Sequence, residues 1–583
     1  MDRKTIIILA LSLALLMAWF PLTNKLFPPV VLPPRPTNAV TTFTTASNST
    51  RNLDATAGQA AGLSLGAGAT EVREDTLTVE SEDARYVFTT RGGGLKTIAL
   101  KKYPETVGRK AGDTNKLATL NVKAPLPVMT VLGPEALTGD GVYKLFKLDN
   151  NQGVRAEKSL PSGLKVVKEY RFSTNYLLKV SLRMENPGTE AIKLPAREVV
   201  IGTATPMSSH DETMHLGFEW YNGSSAERLV ESWFLNKTFI FFGGEPRTEY
   251  SGGASNVQWA AVHNQFFTMI GVPVVPAQSV VGRRVDLLAP TQAERLEDTK
   301  AYDKPYGYQT SLGYPEITVP GRQVFLQEFD LFAGPKEYNT LSRLGRNIDL
   351  VMGFDGFIGF FAKSLLLSLN GLHALGLAYG LAIVAITVCI KLVFWPLTTA
   401  STRSMKRMQT LQPQMKAIQD KYKAEPAKMQ AKLGEFMKEN KINPLAGCLP
   451  MLVQIPVFFG FYRMLQSAIE LRGASFLWAH DLSQPDTIGV IGGFPINPFP
   501  ILMGATMVWQ ANITPPSPGV DPTQQRIMKY MPLMMMVFLY NFSAGLAIYW
   551  TAQNLLSIVQ MKLTRTPEPE KPTALPVAAR KKS

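Results

Sequence analysis

Lys391 stands in the run Thr387-Val388-Cys389-Ile390-Lys391-Leu392-Val393-Phe394-Trp395-Pro396, an ammonium with apolar neighbours on both sides. A charge in hydrocarbon costs about 2.5 to 3.5 kcal/mol on insertion scales, so such a residue is either steered out of the lipid or kept for a task. It lies about 10 Å from the basic end of its run at about 1.5 Å per helical residue, and a stem that snorkels to the interface fits this spacing as well as a functional charge does. The polar neighbours favour function. Thr387 falls one turn earlier on the same helix face. Gln454 sits between Pro450 and Pro456 in another apolar run, and the last run carries Tyr549, Thr551, Gln553 and Asn554. No carboxylate occurs in these runs to neutralise Lys391. An uncompensated cation among scattered polar groups describes a wet cavity within a membrane that accepts an anionic guest. Arg463 lies nearer the end of its run, where snorkelling is the better reading.

Soluble catalytic chemistry finds no support. Walker A loops, HExxH and paired CxxC motifs are absent. His210 and His215 flank Asp211 and Glu212, but a separation of five positions suits no helix-face spacing, so no metal is expected. Gly62-Leu63-Ser64-Leu65-Gly66 spells a nucleophile elbow without the strand and helix that would make it one. Cys389 and Cys448, in or beside apolar runs, are too few for a disulfide framework and read as buried thiols.

The elements that must position Lys391 follow from charge distribution. The 583 residues are 45% hydrophobic and carry a net charge of +14, yet charged residues are missing from 5–24, 364–390, 442–462, 487–520 and 530–561. Runs of this length approach or exceed the roughly 20 residues that cross a bilayer as helix. A purely soluble protein is excluded. The first run, 1–24, opens with Arg3 and Lys4 and ends on bulky Trp19-Phe20-Pro21, so it reads as an uncleaved anchor with its basic start in the cytoplasm. A Pro- and Ser/Thr-rich linker, 25–70, is expected to be disordered. From 71 to 345 the pattern turns to period 2: Leu178 to Glu185 alternates without error before the turn Asn186-Pro187-Gly188, Thr76 to Glu80 alternates too, and Arg91-Gly92-Gly93-Gly94 reads as a turn. A large, mainly antiparallel β sandwich outside the membrane is expected. Segment 354–372 reads as an amphipathic helix in the outer interface, with Asn370-Gly371 as the elbow into the next span.

Between the second and third runs, 401–443 holds ten Lys and Arg against four acidic residues, which places it in the cytoplasm. Met405, Met408, Leu411, Met415, Ile418 and Tyr422, then Met429, Leu433 and Phe436 after Glu425-Pro426, describe a two-helix hairpin with a Met-rich seam. Methionine also suits a surface that receives varied apolar partners. As one helix, 530–561 would be about 48 Å long, beyond a membrane core of about 30 Å. A break at Asn541-Phe542-Ser543-Ala544-Gly545 yields two short spans and returns the basic tail to the cytoplasm, giving six spans with both ends inside.

Several motifs together resemble the YidC/Oxa1/Alb3 family of membrane protein insertases in its Gram-negative bacterial form. They are Lys391 with Trp395-Pro396-Leu397-Thr398, Asn443-Pro444-Leu445-Ala446-Gly447-Cys448-Leu449-Pro450 with Gln454-Ile455-Pro456, Leu502-Met503-Gly504-Ala505-Thr506-Met507, Asp521-Pro522 with Gln524-Gln525, and Ser543-Ala544-Gly545-Leu546 with Tyr549. The resemblance implies a multidomain, α-helical polytopic inner-membrane protein of six transmembrane helices. Five of these form an insertase core around a hydrophilic groove, and the periplasmic β sandwich is galactose mutarotase-like. Segments 373–399, 444–469, 495–513, 529–542 and 543–562 become spans, 400–443 the cytoplasmic hairpin, 514–528 a cytoplasmic loop and 563–583 a basic tail. The groove charge, usually Arg in the family, falls on Lys391, which keeps the charge but lacks the planar fork. Thr387, Gln454, Tyr549, Trp550 and Gln553 would line the groove, and Met405, Met408, Met415, Met429 and Met437 would meet substrate at the hairpin. Lys562, Arg565, Arg580, Lys581 and Lys582 would touch ribosomal RNA, or serve only as a positive-inside tail. Implied partners are nascent membrane proteins, the Sec translocon (SecYEG and SecDF), the ribosome and membrane lipids, with no cofactor and no enzymatic reaction. A small-solute transporter, or a membrane-anchored carbohydrate-binding or carbohydrate-modifying protein acting through His210, His215 or His263, are the other classes considered.

Overall fold

The computed structural model describes residues 74–107, 116–208, 211–239, 242–292, 295, 306–440, 449–514 and 522–564, which fall into a β unit and a helical unit. The anchor 1–24, the linker 25–70, His210, Cys448 and the tail beyond Thr564 lie outside them.

In the β unit a nine-stranded sheet runs in the spatial order Ala226–Val230, Gly217–Tyr221, Trp259–His263, Phe267–Pro273, Val324–Pro335, Leu177–Glu185, Lys165–Phe172, Gly153–Ser159 and Lys144–Lys147, each pair antiparallel. A five-stranded sheet built around Tyr306–Tyr314 and Arg197–Ala204 packs on it, and a four-stranded sheet starts at Thr76–Glu80. Alternation places the core: in Leu177–Glu185, Leu178, Val180, Leu182 and Met184 are buried while Lys179 is exposed. Two glycines let the sheets approach, because a Cβ on Gly282 would meet the Phe218 ring at 2.0 Å and one on Gly271 would meet Ile201 at 2.3 Å. The expected turn joins Ala84–Thr89 to Gly94–Pro104, with Gly92 and Gly93 at φ of +69° and +57°.

The helical unit holds eight helices of ten residues or more among the described residues: α1 Gly356–Ala374, α2 Tyr379–Thr410, α3 Gln412–Lys421, α4 Pro426–Glu439, α5 Leu449–Ser467, α6 Pro498–Ile513, α7 Pro522–Phe538 and α8 Ala544–Leu563. Helix α1 packs on α5, α8 on α2 and α6, and α7 on α6. Gly460 of α5 makes the first contact close, since a Cβ there would lie 2.6 Å from that of Phe361. By length and composition Gly356–Ala374 and Tyr379–Met408 could each cross a membrane.

The elbow falls elsewhere than expected. Helix α1 runs through Asn370-Gly371 to Ala374 and is closed off by Gly376, whose φ is +95°. There the Gly376 N–H donates to His373 O at 2.8 Å and the Leu377 N–H to Leu372 O at 3.2 Å. This paired closure needs a left-handed residue, which Gly376 supplies and Gly371, inside the helix, does not. The break after α7 lies where length demanded it. The first free amides of α8, at Ala544 and Gly545, are satisfied by Gln484 O at 2.7 Å and Leu482 O at 2.9 Å. A short hairpin, Gly489–Ile491 with Phe494–Ile496, was not legible in the apolar run that contains it.

Candidate functional site

Lys391 is 5% exposed on α2, and its Nζ donates to Ser557 Oγ of α8 at 2.8 Å. On α8, Tyr549, Gln553 and Ser557 are spaced four apart and share one face. A polar line runs along that face. Ser557 Oγ donates to Gln553 O at 2.8 Å, Gln553 Nε2 donates to Gln454 Oε1 at 3.2 Å, and Gln454 Nε2 donates to the Tyr549 hydroxyl. Tyr549 stacks on Phe461 with centroids 4.3 Å apart, and Trp550 meets Phe458 edge-on at 4.8 Å. Gln553 Oε1 is buried with no partner among the described residues.

Of the residues expected in the groove, Lys391, Gln454, Gln553 and Tyr549 are thus brought together, with Trp550 beside them. Thr387 is fully buried, and its hydroxyl donates to Ile383 O at 2.7 Å on its own helix. Sequence reasoning missed Ser557 and Gln560, although Ser557 continues the four-residue spacing from Gln553. Gln560 Nε2 reaches Trp395 O, Thr398 Oγ1 and Thr399 Oγ1 at 3.1, 2.6 and 3.0 Å, so α8 clasps α2 on either side of Pro396. That clasp supports α2 where proline removes a backbone donor, and the helix continues to Thr410. The first hairpin arm therefore rides on the same helix as Lys391. One turn from its end, Lys406 Nζ donates to Met561 O at 3.2 Å and Thr564 O at 2.6 Å, capping α8.

The hairpin seam closes around Met408 and Met415, both buried, with Leu411, Leu433, Phe436 and Met437 packed against them. Met405 and Met429 remain half-buried. Lys562, in the last turn of α8, places its ammonium 5.3 Å from the Trp509 ring centroid. Arg565, Arg580, Lys581 and Lys582 lie outside the described residues. Cys389 corrects an expectation: it is exposed, because it lies on the outward face of α2 rather than against a neighbouring helix. Arg463 meets Asp355 Oδ1 at 3.3 Å, so this cation has a carboxylate within its own unit.

The β unit offers buried titratable groups of another kind. Lys168 Nζ donates to Gly92 O at 2.6 Å and Met129 O at 2.8 Å, and lies 4.7 Å from the Tyr143 ring centroid. Burial, with nearby Lys158 adding repulsion, lowers its ammonium to about 7. Burial likewise holds His263 neutral, well below the usual histidine range, and the positive charges of Lys336 and Arg228 act in the same direction. His215 sits 3.3 Å from Glu212, and among the described residues no three His, Cys, Asp or Glu side chains gather as a metal would need.

Among the described residues two helices are long and apolar enough to cross a membrane, one of them carrying the buried cation, and they share a chain with an antiparallel sandwich, the make-up of an integral membrane protein with a large β domain. Residues 371–571 match the family model described as 60Kd inner membrane protein, and residues 76–367 match that of the YidC periplasmic domain. The membrane protein insertase YidC of Syntrophus aciditrophicus (strain SB) is 32% identical over 588 residues, covering 96% of this chain and 98% of that one. That of Burkholderia vietnamiensis (strain G4 / LMG 22486) is 32% identical over 493 residues, covering 81% and 80%. Among solved structures, an active YidC insertase with its first transmembrane domain resolved is 18% identical and covers 84% of this chain and 93% of that one, at a TM-score of 0.33. A galactose mutarotase related enzyme from Lactobacillus acidophilus is 10% identical and covers 44% and 97%, at a TM-score of 0.29. The chain belongs to the YidC family of membrane protein insertases. It is an inner-membrane protein that acts on membrane proteins, with a periplasmic β-sandwich domain, and it is not an enzyme.

Proposed function

We propose that insertion runs through a hydrophilic groove whose positive charge is Lys391, in a core of six spans with both termini in the cytoplasm. In this reading α1 lies at the outer interface, and α3 and α4 form a cytoplasmic hairpin that receives the nascent chain. Met405, Met429 and Met437 offer contacts on the closed hairpin, whereas Met408 and Met415 require the seam to open. The short polar end of the substrate then enters the groove, where Lys391 attracts its acidic residues and Thr387, Gln454, Gln553, Tyr549 and Trp550 line its path. The apolar segment slides sideways into lipid. Each Leu or Ile at the helix centre contributes about 0.3 to 0.6 kcal/mol, so a full span offsets one or two carboxylates at about 2.5 to 3.5 kcal/mol each, without nucleotide hydrolysis. A membrane potential, positive outside, also draws negative residues outward.

The observation that carries this reading is the buried Lys391 ammonium, which has a serine hydroxyl as its recorded partner and stands at the head of a line of amides. Neutral partners solvate a cation without discharging it, so the attraction for an incoming carboxylate is retained. The ribosome at the basic tail, the Sec translocon and membrane lipids complete the proposed set of partners. The test is to stall a nascent single-span protein and crosslink it from positions 387, 391 and 454. Adducts from these positions, absent from the outward face at Cys389, are expected. Adducts at Cys389 alone would place the substrate outside the proposed groove.

A further inference from the structure

We propose that the glycine-tipped hairpin of Gly489–Ile491 and Phe494–Ile496 is a non-helical membrane anchor, seated at the headgroup–acyl boundary of the bilayer. Its register pairs Ile491 with Phe494 across Gly492 and Gly493, whose φ angles of +58° and +82° close a tight turn. Apolar exposure runs along the hairpin and reaches Leu477-Trp478, which Asp486 ties to its base. Ile491 is 72% exposed, Leu477 70%, Val490 64%, Phe494 60%, Ile488 42% and Trp478 38%.

A firm base holds this cluster in place, so its exposure is not that of a frayed loop. Asp486 Oδ2 accepts from Trp478 Nε1 at 2.8 Å and from the Phe499 N–H at 2.7 Å. Asn497 Nδ2 donates to Tyr540 O at 2.9 Å, while the Tyr540 hydroxyl donates to Pro495 O at 2.8 Å. The hairpin is thereby fastened to α6, which starts at Pro498, and to the connection between α7 and α8.

Two features select lipid as the occupant. No charged residue occurs from 487 to 520, and Asp481 and Asp486 beside Leu477-Trp478 are buried, so the hairpin offers no charge to a charged partner. Apolar exposure also resumes on α6, where Ile501, Leu502 and Trp509 are exposed, while the polar residues between, Asn497 and Thr506, are buried. Depth follows from the backbone. A two-stranded ribbon leaves amides and carbonyls unpaired along its outer edges, which excludes the hydrocarbon centre but is tolerated among headgroups and water. Tryptophan beside such a patch is characteristic of that boundary. Lipid contact is expected whichever way the chain is oriented.

The test uses the full chain in phospholipid vesicles, with Cys389→Ser and Cys448→Ser, and an environment-sensitive nitrobenzoxadiazole on Ile491→Cys. Blue-shifted emission, quenched by nitroxide lipids labelled near the headgroup more strongly than by those labelled at the chain end, and spared by aqueous iodide, is expected. Emission at the aqueous wavelength with ready iodide quenching would overturn the proposal. So would blue-shifted emission that no lipid quencher touches, because the hairpin would then be covered by protein, whether a second copy or the chain's own β domain. If Ile491→Cys fails to fold, the same label on Leu477→Cys reads the same patch with the same outcomes.

Discussion

Lys391 Nζ and Ser557 Oγ meet at 2.8 Å between α2 and α8, a buried cation held by a neutral hydroxyl. The pairing fixes the ammonium while leaving its charge unspent. Removing the hydroxyl in Ser557→Ala leaves a buried cation short of a partner, at about 1 to 3 kcal/mol. The unfolding midpoint of the purified protein in detergent is expected to fall, while insertion persists because the charge remains. An unchanged midpoint would show that the contact carries no stability.

Lys406 caps the carbonyl end of α8 from the C-terminal arm of α2. A cation at a helix C-terminus contributes about 0.3 to 1 kcal/mol, so Lys406→Met should speed hydrogen exchange at the last turn of α8 by about two- to fivefold. Lys406→Arg should restore part of that protection. Equal exchange in all three proteins would detach the hairpin arm from α8.

The hairpin stands on a small seam, and Met415 is its most buried residue. Met415→Ala should loosen it by about 2 kcal/mol, at the low end for a buried methionine because so small a seam can collapse. Proteolysis within 411–425 should rise. If closure of the seam opposes substrate entry, crosslinking Met415→Cys to Phe436→Cys should also slow insertion, and unimpaired insertion by the crosslinked form would exclude seam opening.

Burial holds both Lys336 and Lys168 of the β domain below the usual lysine range, so both make stability depend on pH, and Lys168 gives the window. Its folded-state value of about 7 lies below that of an unfolded lysine, about 10.4, so between those values unfolding takes up a proton. Stability should therefore rise as pH goes from about 7 towards 10 and be flat in this term below 7. Above about 10 the buried hydroxyls of Tyr143 and Tyr170, which burial holds protonated, reverse the trend. Urea unfolding followed by tryptophan fluorescence at pH 7 and pH 9 reads this directly. A steeper rise than in Lys168→Met is expected, and identical slopes would assign the dependence elsewhere.

Much of the fold was legible because long patterns outvote local ambiguity. Eight residues of alternation placed Leu177–Glu185 with its buried face correct, and Pro426 opens α4 as its missing amide allows. The break between α7 and α8 was forced by length. The α1 elbow was not legible, because Gly371 and Gly376 look alike in sequence and only the carbonyl closure distinguishes them. Nor was the hairpin Gly489–Ile496, whose three-residue strands are too short for a period. At the candidate site, Lys391, Gln454, Gln553 and Tyr549 stand out as polar groups in apolar runs. Ser557 does not, because serine inside a helix usually satisfies itself on its own backbone.

In the proposed reading the charge of Lys391 draws acidic substrate residues into the core. The most direct test of this is the purified protein alone in liposomes, given a single-span substrate with an acidic outer tail. Insertion is expected to fall by about tenfold or more in Lys391→Glu, the equivalent of about 1.4 kcal/mol, and to persist in Lys391→Arg. Insertion by Lys391→Glu equal to that of the unaltered chain would exclude an electrostatic role for Lys391.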